Sequence, residues 1–416
     1  MVGLLERLHS LAGLAGLIGL AWLLSEHRRS FPLRFVAVCV GLQTLLALLI
    51  LNIDPLWRAV AALNYPVAAL QRAARAGSAF IFGYLGGAPL PFDPKAGTGA
   101  LIIAFEILPI VIVTAAVASL LWHWRVLPWI VTGLSRLLAR SLGIGGAPAL
   151  GVASTLFFGV VEAPLFVRAY LATVSRAELF AIMVAGLSTI SGVVLVLYAS
   201  LLGGVISAPA GHLITASLMS LPAGLAIARV MVPGGLDTPV DPDQPSVRYH
   251  GSLDAITRGT LDGLTLYLGI IAILITIFAF VNLADQLLAF LPPVNGEPVT
   301  LTRLMGWLFT PLVLLFGIAP QDAPAAGGLM GTKAVLNEFV AYQRFAAADL
   351  SPRSQLIMIY ALCGFANLAS IGMITATMAT LAPTRRGDLS SLGLKAWAAG
   401  NLATGMTGAV AGLTRL

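Results

Sequence analysis

Two glutamates stand in apolar sequence that no solvated helix face can account for: Glu162 in GVVEAP (159–164) and Glu338 in LNEFVAY (336–342). A carboxylate can accept hydrogen bonds from vicinal hydroxyls, or it can take up and release a proton. Keeping charge near a bilayer centre costs roughly 2.5–3.5 kcal/mol, so such a group persists only beside a partner or a polar cavity. Each glutamate neighbours a segment interrupted by Gly or Pro. The combination implies a membrane transporter with its binding site between two broken elements.

Other side chains fit the same chemistry. Pro164 follows Glu162 closely and ends or starts a helix there, so Glu162 is expected at a hairpin tip, beside a helix N-terminus that favours its charge. A buried arginine as a structural latch is its alternative partner. Glu338 follows Lys333 by five residues, and an ion pair between them is the alternative to a sugar contact. Asn367 and Ser370, in ALCGFANLASIG (361–372), are spaced to share a helix face and offer donors and acceptors to a neutral polar ligand. Phe365 can stack on a flat ring. Glu106, near Pro109, is expected to serve a buried donor. The histidines show no metal-ligand spacing, and no P-loop or Ser-His-Asp arrangement stands out, which argues against zinc, ATP and hydrolytic chemistry.

The elements that must position these groups follow from composition. The chain has 416 residues, 58% hydrophobic and 10% charged, with mean hydropathy +0.93. Soluble domains carry about 25% charged residues, so this is an all-α polytopic membrane protein. The net charge of +6 reflects short basic loops and no nucleic-acid partner. Cys39 and Cys363 lie in apolar runs and are not expected to form a disulfide. Residues 11–24 lack a cleavage site and precede their charges, so they read as a retained first span.

Eight crossings are expected, at 8–25, 35–53, 98–121, 177–200, 205–231, 260–290, 354–382 and 393–414. Two further apolar stretches, 141–161 and 304–321, each precede a glutamate and read as first arms of re-entrant hairpins. Basic residues follow the odd-numbered spans, which puts those loops in the cytoplasm and both termini in the periplasm. Loop 54–97 is expected to carry an amphipathic surface helix. Residues 122–142, with their tryptophans and arginines, read as an interfacial helix. Residues 233–253 read as a cytoplasmic linker. Helix interruptions are expected at 188–192 and 364–367, each beginning 26 residues after its glutamate (188 − 162 and 364 − 338), the plan of an inverted-topology repeat. The chain therefore divides into N-terminal scaffold helices (1–121), a first repeat (122–232), a linker with a scaffold helix (233–291) and a second repeat (292–416).

GVVEAP, GGLMGTKAVLNEFVAY (327–342), IYALCGFANLASIG (359–372) and APTRRGDLSSLGLKA (382–396) resemble the concentrative nucleoside transporters over nearly the whole chain. The resemblance implies eight transmembrane helices with two re-entrant hairpins, a homotrimer, an elevator-like movement of each transport domain, and a Na⁺ or H⁺ gradient as energy source. By motif it implies a ribose-facing set of Glu338, Asn367 and Ser370, and a base-facing set of Glu162, Val194 and Phe365. The family's first hairpin reads G-Q-T/S-E; here the two base-reading polar positions are Val160 and Val161. A site without those groups discriminates poorly by hydrogen bonding. The sodium site maps onto Thr155, Phe158, Thr189 and Ile190, with Thr155 in place of the sodium-binding members' asparagine. That leans the coupling cation toward H⁺, with Glu162 as its carrier.

The expectation is a symporter in a bacterial inner membrane that imports nucleosides or related ribosides, with no cofactor besides the coupling cation. A less polar nucleoside-like ligand is the alternative. An intramembrane enzyme acting on a lipid-linked sugar and a passive channel are the remote ones.

Overall fold

The computed structural model describes residues 2–92, 102–239, 249–294 and 296–414. Apart from one isolated bridge between Val294 and Glu297, every regular element among them is helical. Lys95, the start of the third expected span (98–101), and residues 240–248 of the expected linker, with Arg248, lie outside the described residues.

Among the described residues, five segments are long and apolar enough to cross a membrane by length and composition: Leu33–Asn52, Ile103–His123, Arg176–Leu202, Pro209–Met231 and Ser252–Leu288. Burial separates them. The most apolar stretches of Arg176–Leu202 and Pro209–Met231 are 94% and 83% buried, whereas that of Ser252–Leu288 is 11% buried. The first two form the interior, and the last presents its apolar side chains outward, as a lipid-facing helix does. The remaining expected crossings are the helix Val2–Leu23, the pair Pro352–Leu362 and Leu368–Leu381, and the long helix Arg386–Thr414.

Packing cuts across the expected unit 1–121. Val2–Leu23 and Leu33–Asn52 pack on Pro209–Met231 and Arg386–Thr414. Ile110–His123 instead pairs with Ser252–Leu288. The surface loop folds into helices Asp54–Ala62 and Asn64–Phe82. From the second of these, Arg75 donates to Glu106 at 2.6 Å, which gives Glu106 a structural partner.

The first hairpin is shorter in helix than the stretch 141–161 suggests. Gly143 takes a left-handed turn (φ +63°), and the arm is Gly146–Ser154. The second hairpin departs from expectation. Residues 304–321 are not its first arm: Leu301–Leu315 is a separate helix packed on the true arm, Ala323–Val335. Gly317 (φ +89°) ends the earlier helix in a conformation only glycine adopts readily. Pro324 then starts the arm, at a place where a missing N–H costs nothing.

Both long interior helices break. The first runs Arg176–Ser188, is extended at Thr189–Ser191, and resumes at Gly192–Leu202. The second runs Pro352–Leu362 and resumes at Leu368–Leu381. The breaks touch: the Phe365 amide donates to the Thr189 carbonyl at 3.3 Å. These two residues stand at the same offset as the two glutamates (365 − 189 = 338 − 162 = 176). Contact between offset-equivalent residues is what a two-fold axis through an internal repeat produces. Only glycine fits at 364, where a Cβ would lie 2.6 Å from Thr404 and 3.0 Å from the Leu187 carbonyl.

The loop ends are tied by charge. Glu26, after the first helix, accepts from Arg176 at 3.0 Å and Lys395 at 2.5 Å, while Asp388 accepts from Arg176 and Arg385. The Arg176 hydrogen bond, with help from Lys395, holds the Glu26 carboxyl down at about 2. Ser175 and Glu178 form a capping box at the start of the first broken helix, and Glu178 also accepts from Thr238.

Candidate substrate site

A cavity of about 410 Å³ lies where the two hairpins and the two breaks meet. Its walls include all eight residues expected to face a ligand: Val160, Val161 and Glu162; Val194; Glu338; and Phe365, Asn367 and Ser370. Several of its polar groups, Ser191, Asn337, Glu338 and Asn367 among them, stand at helix ends, where backbone leaves the regular hydrogen-bond ladder.

At the first hairpin, Glu162 immediately precedes the short helical turn Ala163–Val167. Its carboxylate folds back over Gly159, where an added Cβ would sit 2.7 Å from Glu162 Oε2. At the second, Leu336 and Asn337 interrupt the hairpin, and Asn337 caps Glu338–Phe345 by accepting from the Val340 amide at 3.0 Å. Glu338 therefore opens a helix, with the positive end of its dipole beside the carboxylate.

Glu338 is 4% exposed and is held from two sides. Tyr198 donates to Oε1 at 2.5 Å and Asn367 Nδ2 donates to Oε2 at 2.8 Å. Asn367 does not share a helix face with Ser370 as its spacing suggests. It is the N-cap of Leu368–Leu381, and its Oδ1 accepts from the Ser370 amide at 2.8 Å. One amide side chain thus starts the second half of the broken helix and orients the glutamate.

Lys333 does not pair with Glu338. Its fully buried ammonium donates to the Ala361 carbonyl and to Thr404 Oγ1, both at 2.8 Å. It caps the end of Pro352–Leu362, where the helix dipole favours a cation. In the first repeat, the offset-equivalent carbonyl of Ala185 accepts instead from the Thr189 hydroxyl at 2.8 Å.

Thr155, Phe158, Thr189 and Ile190 lie along the first hairpin and the first break. Thr155 and Thr189 are almost fully buried. Their hydroxyl protons go to Val152 and Ala185 carbonyls, each at 2.8 Å, so lone pairs remain on both oxygens. The carbonyls of Phe158 and Ile190 accept no backbone hydrogen bond among the described residues. Hydroxyl and carbonyl oxygens are the donor set of a hard cation.

Sequence reasoning missed Tyr198, which sits in the apolar run VVLVLYASLL; its one signal is a lone phenol in that run. A neutral donor to a carboxylate contributes roughly 1.5–3 kcal/mol. Tyr198→Phe is expected to lower the melting temperature measurably, because the bond is made in the unliganded fold, and to weaken ligand binding roughly tenfold or more by loosening Glu338; thermal unfolding and ligand titration of the purified variant measure both. Also missed were Asp262 and Thr265, which line the cavity from Ser252–Leu288.

Three family models match the chain. Those described as the Na⁺ dependent nucleoside transporter N-terminus and C-terminus match residues 12–85 and 212–412. A model described as nucleoside recognition matches residues 104–205. An uncharacterized transporter of Haemophilus influenzae is 34% identical, over 98% of this chain and 97% of its own length. The nucleoside permease NupC of Helicobacter pylori is 31% identical, over 98% of each. Among solved structures, CNTnw in an inward-facing substrate-bound state superposes with a TM-score of 0.87 at 32% identity, covering 98% of both chains.

Proposed function

The chain belongs to the concentrative nucleoside transporter family, and from that premise we propose that it imports nucleosides or closely related ribosides by cation symport. Membership sets aside the enzyme reading, since the relatives are transporters and permeases. The observation that carries the proposal is the doubly held Glu338 on a cavity wall with Glu162 opposite another hairpin tip.

An ionised carboxylate has about four lone-pair sites. Tyr198 and Asn367 use one on each Glu338 oxygen. One site per oxygen is left, the arrangement that two vicinal ribose hydroxyls fill. Ser370 adds a hydroxyl at the same wall. The base then lies toward Glu162, Val160, Val161, Val194 and Phe365, with the phenyl ring against its face. Cation binding at the first hairpin organises this end before the nucleoside arrives.

Protons are favoured over sodium as the coupling ion. The oxygens around Thr155 lack an amide ligand, whereas Glu162 can carry a proton across in neutral form. Each protomer of a homotrimer moves its own hairpins and broken helices, elevator-like, past the paired helices Ile110–His123 and Ser252–Leu288. The chain sits in a bacterial inner membrane with both termini periplasmic.

Uptake of labelled uridine and adenosine into proteoliposomes, with imposed pH or sodium gradients, tests the proposal. Gradient-driven accumulation supports it; no gradient-dependent uptake of any riboside refutes it.

Val160 and Val161 favour a second reading, a less polar modified nucleoside as the natural cargo. Both line the cavity and offer no hydrogen bond to a base edge. Val160→Gln combined with Val161→Thr is expected to raise uridine transport roughly tenfold, a change equivalent to about 1.4 kcal/mol. Parallel kinetics with wild type measure it.

A further inference from the structure

Asp262 lies on Ser252–Leu288, outside the motifs that mark the site. It lines the 410 Å³ cavity and also a smaller pocket of about 120 Å³. The two spaces share Gly159, Glu162, Leu165, Ser191, Asp262 and Leu266, but Glu338, Asn367 and Ser370 line only the larger one. Asp262 therefore stands at the Glu162 end, where the base is placed.

Its position is fixed by packing. A Cβ on Gly259 would lie 2.6 Å from Ser119 Oγ, and one on Gly263 would lie 2.8 Å from Ala115 Cβ. These two glycines press the helix against Ile110–His123 and set its rotation. Asp262 makes no hydrogen bond or ion pair among the described residues. Arg258, one turn earlier, is bound to Asp254 at 2.8 Å. No Lys, Arg or His among the described residues lines either space.

The hydrogen-bonding character of this end is consequently one-sided. Asp262 offers acceptors, and Glu162 keeps its carbonyl oxygen as one even while it carries the coupling proton. Thr265 gives its proton to the Leu261 carbonyl at 3.0 Å and offers lone pairs. On the larger cavity's wall at this end, the donor set against them among the described residues is the Ser191 hydroxyl, whose oxygen accepts from the Val194 amide; Ser119, Trp122 and Tyr249 line only the smaller pocket. Val160 and Val161 add nothing polar.

We propose that Asp262 determines base specificity by accepting a hydrogen bond from an exocyclic amino group. The site then prefers nucleosides with an amino-bearing base over their oxo counterparts. The inference rests on the reading that the cavity holds a nucleoside. Cytidine and uridine, like adenosine and inosine, exchange an amino donor for a carbonyl acceptor at one position of the ring, with an accompanying change at the adjacent ring nitrogen. A carbonyl facing a carboxylate leaves both acceptors unpaired, and sites built around such a contact reject the mismatched ligand strongly.

The test is competition among these four nucleosides for the full-length protein in liposomes, in wild type, Asp262→Asn and Asp262→Glu. The expected result is a preference of about tenfold for cytidine over uridine and for adenosine over inosine. Asp262→Asn, which can turn a donor toward the base, brings both ratios close to one, and Asp262→Glu keeps them above one. Equal binding within each pair in wild type, or ratios unchanged in Asp262→Asn, overturns the inference and leaves the nucleoside reading standing. Binding of none of the four overturns both. If Asp262→Asn fails to fold, the wild-type ratios and Asp262→Glu still decide.

Discussion

Glu338→Gln is expected to reduce riboside binding at least a hundredfold without unfolding the protein. The amide keeps the size of the side chain but replaces one acceptor oxygen with a donor. That nitrogen must then face the Asn367 amide, the Tyr198 hydroxyl or a ribose hydroxyl, each placed to donate. Hydrogen bonds to a charged partner contribute roughly 1.5–3 kcal/mol each, and two of them correspond to a factor of a hundred or more. A 2′-deoxynucleoside offers one hydroxyl of the pair and is expected to bind wild type roughly tenfold more weakly. In the variant, the ribo and deoxy forms bind with similar weakness. Titration of uridine and 2′-deoxyuridine into both proteins, with melting curves as the control for folding, checks the pattern. Undiminished uridine binding by Glu338→Gln would remove the sugar contact from the account.

Glu162→Gln is expected to abolish accumulation driven by a pH gradient. Glutamine fills the hairpin tip but cannot take up and release a proton. Uptake under an imposed pH gradient should then stop at equilibration, a loss of at least tenfold in accumulated nucleoside. The parallel arm uses a sodium gradient at constant pH. If sodium alone drives wild type, and drives Glu162→Gln equally, the coupling ion belongs to the hydroxyl and carbonyl oxygens around Thr155 and Thr189, and the proton assignment falls.

The breaks and tips were legible in the sequence because they violate their surroundings. Glu162 with Pro164, the run Ser188 to Gly192, and Gly364 to Asn367 are polar or helix-breaking residues within apolar stretches. The second hairpin's first arm was not legible. Residues 304–321 have the composition of a membrane arm, and nothing local marks Gly317 as left-handed rather than helical. Partners across the fold were hidden for a related reason. Lys333 and Glu338 are close in sequence, yet Leu336 and Asn337 leave the helix between them. The ammonium reaches Ala361 and Thr404, and the carboxylate reaches Tyr198, 140 residues away. Asp262 escaped notice because it lies in a helix whose apolar face reads as plain lipid contact; only the folded chain turns that residue toward Glu162.

The cavity between the two hairpin tips is proposed as a nucleoside site organised by Glu338. Thermal unfolding of the purified protein against nucleoside concentration tests it most directly. A ligand that binds only the folded form stabilises it by about 2.7 kcal/mol at a hundred times its Kd. A saturable rise in melting temperature is expected with adenosine or cytidine, none with free ribose at the same concentrations, and no rise in Glu338→Gln. A flat response to every nucleoside, or an identical rise in Glu338→Gln, would contradict it.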